Sequence, residues 1–361
     1  MAQFGEFAAF GDSPRDFLRE FFSDSQASGV GADGVPPTAF GLLGAAGAGV
    51  FAKMALLRTI LIVGLFPVAG WATWSLARRL GCSANASIVA VVAMLAIPLP
   101  YNALANGSWS GLTIWAVSPI FLNQFAKALD AGPMDGPATG RPWRSMIGLG
   151  VVLWLVSSFV PFAFFLIVAM LLLLVVGSAL AGRLSGTGNL LTLGLGAGVV
   201  AAVLNLPWLL GLLLDGFTWA SIGGTRFGGD IAADELLRFF TGPHGAGIVG
   251  WAFPVAAIAA LLIGRQWRRV WAVRLATVSV GFWLVALVAE MGVAPFALPR
   301  PEVLLAPSAA AIALLVGMAV ACFELDLAEA RFGWRQVTIG IPAAAALVGT
   351  LAWMASAVDG R

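Results

Sequence analysis

Charge is what this chain has least of: only 11% of its 361 residues are Asp, Glu, Lys or Arg, against about a quarter in soluble globular domains. Lysine is nearly missing, since Lys53 and Lys127 stand in a set of 20 basic residues that is otherwise arginine. There is one histidine, His244, and one tyrosine, Tyr101. The two cysteines, Cys82 and Cys322, fall at expected helix ends on the side assigned below to the cytoplasm, where thiols stay reduced. No disulfide, metal cluster or nucleophilic thiol is indicated. What the chain does have is 60% hydrophobic residues and a mean hydropathy of +0.93, which argues against a soluble fold. A net charge of +2 says nothing by itself about nucleic acid, and no nucleic-acid partner is expected.

Apolar stretches of about 17 to 23 residues recur from Ala55 to Val358, the length a helix needs to cross a ~30 Å hydrocarbon layer. They are continuous rather than alternating in short units, so the expected fold is all-α, a polytopic transmembrane helical bundle and not a barrel. The expected spans are 55–77, 84–100, 110–128, 146–159, 161–181, 190–214, 248–264, 270–292, 303–322 and 337–358, about ten crossings. The fourth and fifth come from one nearly continuous apolar run, Met146 to Ala181, divided at Pro161 because a helix-interior proline costs ~3 kcal/mol unless the chain turns there.

Alternate connections then carry the arginines: Arg78 and Arg79, Arg141 and Arg144, Arg183, Arg265 to Arg269 in RQWRR, and Arg331 with Arg335. Basic residues in short loops stay cytoplasmic. The opposite, external side takes 1–54, 101–109, 215–247, 293–302 and the C-terminus. This gives an external juxtamembrane segment, 1–54, and a transmembrane domain, 55–361, with the external loop 215–247. MAQFGEFAAF lacks the basic and apolar regions of a signal peptide, so an upstream helix is expected.

Within the first segment, SPRDFLREFF has Ser13 as helix cap, Pro14 at the first helical position and Asp16 behind it. Phe17, Leu18, Phe21 and Phe22 share a face, as in an amphipathic helix lying on a membrane. SGVGADGVPP follows as a loop carrying Asp33, then a short glycine-rich piece, Thr38 to Ala52, assigned to the interface.

An external amphipathic helix, a loop with an acid, PP, a short helix and a span running from ALLRTILIVGLF to ARRLG resemble the start of polytopic GT-C glycosyltransferases. GVGADGVPP, LPYNALANG, LLRFFTGPHGAGIVGW, EVLLAPSAAA and RFGWRQ resemble the membrane half of actinobacterial proteins known as glycosyltransferase family 2 membrane proteins. The resemblance covers nearly the whole chain, but the cytoplasmic transferase domain, the first transmembrane helix and any DxD motif are missing from it. It implies a GT-C-like bundle in the inner (cytoplasmic) membrane. It further implies sugar transfer at the external face from a polyprenyl-phosphate-linked donor to an envelope glycan.

Such a transfer needs a carboxylate to take the acceptor's hydroxyl proton and donors or a metal to hold the departing phosphate. Asp33 is the candidate base, against a solvated loop acid. PYNALANGSWSG offers Tyr101, Asn102, Asn106 and Trp109 as sugar or phosphate contacts, against an aromatic belt and asparagine turn chemistry. The loop 215–247 offers His244 in TGPHGAG, against an exposed histidine in a glycine turn, with Ala232 to Phe240 as a second interfacial helix and the whole as a possible lid. Arg300, placed outside with Glu302 in LPRPEV, is a phosphate contact or a flank charge. Arg274 is expected to snorkel as an anchor, and Asn205 and Asn123 to bond across helices. A divalent metal is compatible with the chemistry, though no metal motif is present. The rival readings are a lipid-linked sugar translocator or transporter and a non-catalytic anchor for a partner transferase.

Overall fold

A computed structural model of the chain describes residues 6, 13–22, 38–50, 53–129, 142–206, 208–210, 222, 231–245, 247–294 and 298–326. Among them every regular element is a helix. In chain order these are α1 (Pro14–Phe22), α2 (Thr38–Gly49), α3 (Met54–Val63), α4 (Leu65–Arg79), α5 (Ala84–Ala96), α6 (Leu99–Ala105) and α7 (Trp109–Ala128). They continue as α8 (Pro142–Phe159), α9 (Ala163–Leu180), α10 (Thr187–Leu204), α11 (Ala233–Leu237), α12 (Ala252–Ile263), α13 (Gln266–Glu290) and α14 (Pro301–Asp326). Six segments among the described residues are long and apolar enough to cross a membrane: Met54–Arg79, Ala84–Ala105, Ala163–Leu180, Thr187–Leu204, Gln266–Glu290 and Pro301–Asp326. The chain is thus a multi-pass, all-helical membrane protein. Three further expected spans coincide with α7, α8 and α12, while 337–358 lies outside the described residues.

Proline explains the interruptions. The chain turns at Val160–Phe162, between α8 and α9, as the division at Pro161 anticipates. Ile97, held at φ −58 and ψ 133 by the proline that follows it, breaks α5 from α6, because a residue before proline is pushed out of the helical region. Tyr101 Oη donates to Leu95 O at 2.8 Å, capping a carbonyl beside that break.

α14 is the axis of the bundle. It is apolar on every side, and a helix without a polar face belongs in an interior; 94% of its most apolar stretch is buried, against α5, α7, α12 and α13. Close approach to α5 depends on Gly317, where a Cβ would lie 2.6 Å from Ala90 Cβ and 2.8 Å from Ala86 O. The outer helices show the reverse pattern. Val168, Leu172, Val176 and Leu180 on α9, Leu191, Leu195, Val199 and Val203 on α10, and Val280, Leu284 and Val288 on α13 are all exposed at four-residue spacing. Continuous apolar stripes of this kind are surfaces for lipid rather than water.

Hydrogen bonds sort the helix ends into two groups. At one end Arg79 Nε donates to Asn123 Oδ1 (2.7 Å), Arg78 Nη1 to Cys82 O (2.8 Å) and Arg274 Nη2 to Arg183 O (3.2 Å). Arg268 pairs with Asp326 and Ser83 with Glu324 at that same end. The described basic connections around Arg78, Arg79, Arg183 and Arg268 therefore fall together, while Arg141, Arg331 and Arg335 lie outside the described residues. At the other end lie the α5–α6 break, the α8–α9 turn, residues 231–245 and the start of α14, described below.

One expectation is overturned, one holds and one is refined. Arg274 does not snorkel: it is 2% exposed, stacked 4.9 Å from the Trp271 ring and donating from Nε to Ser178 Oγ at 2.9 Å. Asn205 bonds across helices, giving Nδ2 to Ser157 Oγ (3.0 Å) and receiving Ser158 Oγ (3.3 Å) and Thr38 Oγ1 (3.2 Å) on Oδ1. α1 starts at Pro14, but its apolar face meets protein: Phe21 lies on Gly41 and Leu18 on Gly44 of α2, leaving Phe22 exposed.

Candidate functional site

The site is assembled on α6. Asn102 within it and Asn106 at its C-terminal cap are one helical turn apart, so both amides project the same way. Asn102, fully buried, clasps the backbone of His244: Nδ2 donates to His244 O and Oδ1 receives His244 N, both at 2.8 Å. Asn106 Nδ2 donates to Thr241 O at 3.1 Å and to Glu302 Oε1 at 2.6 Å. Between these contacts Gly242 allows the approach, since a Cβ there would meet Asn106 Nδ2 at 3.0 Å and Asn102 Oδ1 at 3.1 Å.

The turn that the amides hold is set from behind by Phe239. Its φ of +58 lies in the left-handed region, which costs a bulky residue about 1–2 kcal/mol. The ring is fully buried, 5.6 Å from that of Trp283, and this packing holds the backbone there.

The third contributor is the start of α14. Arg300 Nη1 donates to Asn106 O at 3.1 Å, and Glu302 is 2% exposed, packed against Gly111, where a Cβ would lie 2.7 Å from Glu302 Cβ. Glu302 Oε2 and Thr241 Oγ1 have no hydrogen-bond partner among the described residues. Alongside, Glu6 receives Ser110 N at 2.6 Å and Ser110 Oγ at 2.9 Å, a carboxylate on the N-terminus of α7 where the helix dipole favours it.

Four of the residues singled out from sequence, Asn102, Asn106, His244 and Arg300, thus meet at one mouth of the bundle, although they are far apart in the chain. Their work differs from the expectation in one respect: both asparagine amides bind protein groups. His244 alone of the four presents an exposed side chain. Tyr101 and Trp109 turn to other neighbours, Tyr101 to Leu95 O and the Phe66 ring at 5.9 Å, Trp109 to Phe159 with centroids 4.8 Å apart. Asp33 lies outside the described residues. Residues 241–244 are tied to α6 through Asn102 and Asn106 in the state described, and Glu302, assigned to the external side, is buried.

Thr241 and Glu6 are absent from the sequence reading, and Glu302 enters it only as the neighbour of Arg300. A signal for Glu302 existed: it opens a helix that has no polar face, so no solvent side is available to its carboxylate. Thr241 and Glu6 carry no comparable mark. No group of three or more His, Cys, Asp or Glu able to hold a metal occurs among the described residues. At the opposite end, burial pushes the Cys82 thiol up to about 12, only partly offset by Arg268 and Arg78, so it offers no thiolate nucleophile at neutral pH. Scanned against models of known protein families the chain matches none, and no curated protein matches it either.

Proposed function

We propose that the chain is the membrane part of a cell-envelope glycosyltransferase with a GT-C-like bundle of about ten spans in the inner membrane. It would transfer a sugar from a polyprenyl-phosphate donor to an envelope glycan. Its mouth, with the juxtamembrane segment 1–54, faces outward, because the opposite end gathers Arg78, Arg79, Arg183, Arg265, Arg268 and Arg269 and short arginine-rich connections remain cytoplasmic. The observation that carries the reading is the meeting of Asn102, Asn106, His244, Arg300 and a buried carboxylate, Glu302, at that mouth. A carboxylate and a guanidinium held beside lipid-facing helices are the groups a sugar hydroxyl and a lipid phosphate require. In this role Asn102 and Asn106 position the turn, His244 and Arg300 contact substrate, and Asp33 supplies a further acid.

One observation favours a second reading, a non-catalytic anchor for a partner transferase: both asparagine amides are spent on holding the protein together. Transfer decides between them. Nanodisc-embedded protein given radiolabelled polyprenyl-phosphate sugars and purified envelope polysaccharide should label the polysaccharide; label passing only when a separate transferase is added establishes the anchor. Orientation is tested with His244→Cys, which needs no cysteine-free background because Cys82 and Cys322 are buried. Membrane-impermeant maleimide should tag it from outside intact spheroplasts, and tagging only after lysis would reverse the assignment.

A further inference from the structure

We propose that Glu302 Oε2 and Thr241 Oγ1 form the subsite that receives the hydroxyl of the acceptor, an inference that rests on the transferase reading above. Both residues are buried, at 2% and 6% exposure, and among the described residues neither oxygen has a hydrogen-bond partner, which is also true of Thr73 Oγ1 and Thr113 Oγ1. They belong together because a single nitrogen, Asn106 Nδ2, bonds both Thr241 O and Glu302 Oε1. Buried polar atoms in native proteins are nearly always satisfied, and those that are not call for a ligand, a water or a catalytic role.

The chemistry of the pair selects the ligand. An ionised carboxylate oxygen only accepts, whereas a threonine hydroxyl donates or accepts. A neutral hydroxyl suits both, donating to Glu302 Oε2 while receiving Thr241 Oγ1. A cation is disfavoured by the Arg300 guanidinium, already bonded to Asn106 O, and an anion by Glu302 itself. A sugar or other polyol hydroxyl is what remains.

During transfer the hydroxyl proton passes to Glu302 Oε2 and the hydroxyl oxygen bonds to the anomeric carbon. The bond from that carbon to the phosphate oxygen breaks, and its electron pair leaves on the phosphate. In the state described both oxygens are buried, Asn106 ties Thr241 to Glu302, and Asn102 holds the turn at His244. Acceptor entry therefore requires the turn to lift, and its closure over the bound hydroxyl excludes water that would otherwise compete as acceptor.

The test uses the complete protein in nanodiscs with a panel of radiolabelled polyprenyl-phosphate hexoses and pentoses and purified envelope polysaccharide. Glu302→Gln should cut transfer by about 100-fold or more while donor retention on the protein is unchanged, the loss typical of a missing proton acceptor. Thr241→Val removes only the hydroxyl; it should raise the acceptor KM about tenfold with kcat nearly constant. A purely structural hydroxyl would shift the melting temperature and leave KM alone. Wild-type-like transfer by Glu302→Gln, or an unchanged acceptor KM in Thr241→Val, overturns the subsite while leaving the transferase reading in place. If Glu302→Gln loses its cooperative melt, the Thr241→Val result decides alone. Wild-type protein that transfers no sugar from any donor in the panel removes the transferase reading and the subsite together.

Discussion

Replacing Asn102 by alanine should unfasten the turn at His244 without unfolding the bundle. Two hydrogen bonds of 2.8 Å disappear at once, one to His244 O and one from His244 N. Each is worth roughly 1 kcal/mol net, and backbone groups left unsatisfied add about 1–3 kcal/mol while they stay buried. The His244 side chain is exposed, so water reaches its backbone once the turn lifts, which holds the loss to about 3 kcal/mol. At ~1.4 kcal/mol per factor of ten, the lifted population rises about 100-fold. Hydrogen exchange read by mass spectrometry on peptides spanning 239–245 reports this directly, because exchange there proceeds through local opening. Peptides from α14, buried at the axis, serve as the internal reference and should exchange as in the unaltered protein. Asn106→Ala should instead loosen Thr241 and Glu302 and leave the His244 amide protected. Unchanged protection of residues 239–245 in Asn102→Ala would refute the clasp and with it the account of how the mouth is held shut.

Two other perturbations test the scaffold. Gly317→Val puts side-chain atoms where a Cβ already sits 2.6 Å from Ala90 Cβ and 2.8 Å from Ala86 O; overpacking of this kind costs about 1–3 kcal/mol, to be seen as a lower melting temperature in detergent, and an unchanged melt would mean that α5 and α14 are not in such close contact. The Cys82 thiol, raised by burial from 9.0 to about 12, should react with iodoacetamide slowly through pH 10, the rate climbing only as the pH nears 12. Because the folded protein favours the neutral thiol, the stability linked to it is present below 9.0 and is lost as pH rises from there towards about 12. Rapid alkylation of the folded protein at pH 8 would contradict the burial.

The setting was legible from residue chemistry because the bilayer leaves few alternatives. Long apolar runs in hydrocarbon must satisfy their own backbone, so helices follow from composition, and α9, α10, α13 and α14 lie where the apolar runs predict. Pro161 marks a turn, and Ile97–Pro98 a break, for the same local steric reason. The alternation of arginine-rich connections likewise assigns 101–109, 215–247 and 293–302 to one side before any contact is known.

Contacts were another matter. Asn102 and His244 are 142 positions apart and Asn106 and Glu302 196 apart, and no local pattern specifies such partners. The sequence could say that α1 has an apolar face but not that the glycines of α2 would receive it, since that depends on two helices meeting at one angle. It could name two asparagines as polar groups at a membrane boundary but not that their amides are consumed by a turn. What the amino acids determined alone was the solvent, the helical character and the end of the bundle on which Asn102, Asn106, His244 and Arg300 sit, because these follow from backbone satisfaction and charge near the lipid. Which oxygen is bonded and which is left open, at Thr241 and Glu302, was decided only by packing α6, the 241–244 turn and α14 against one another.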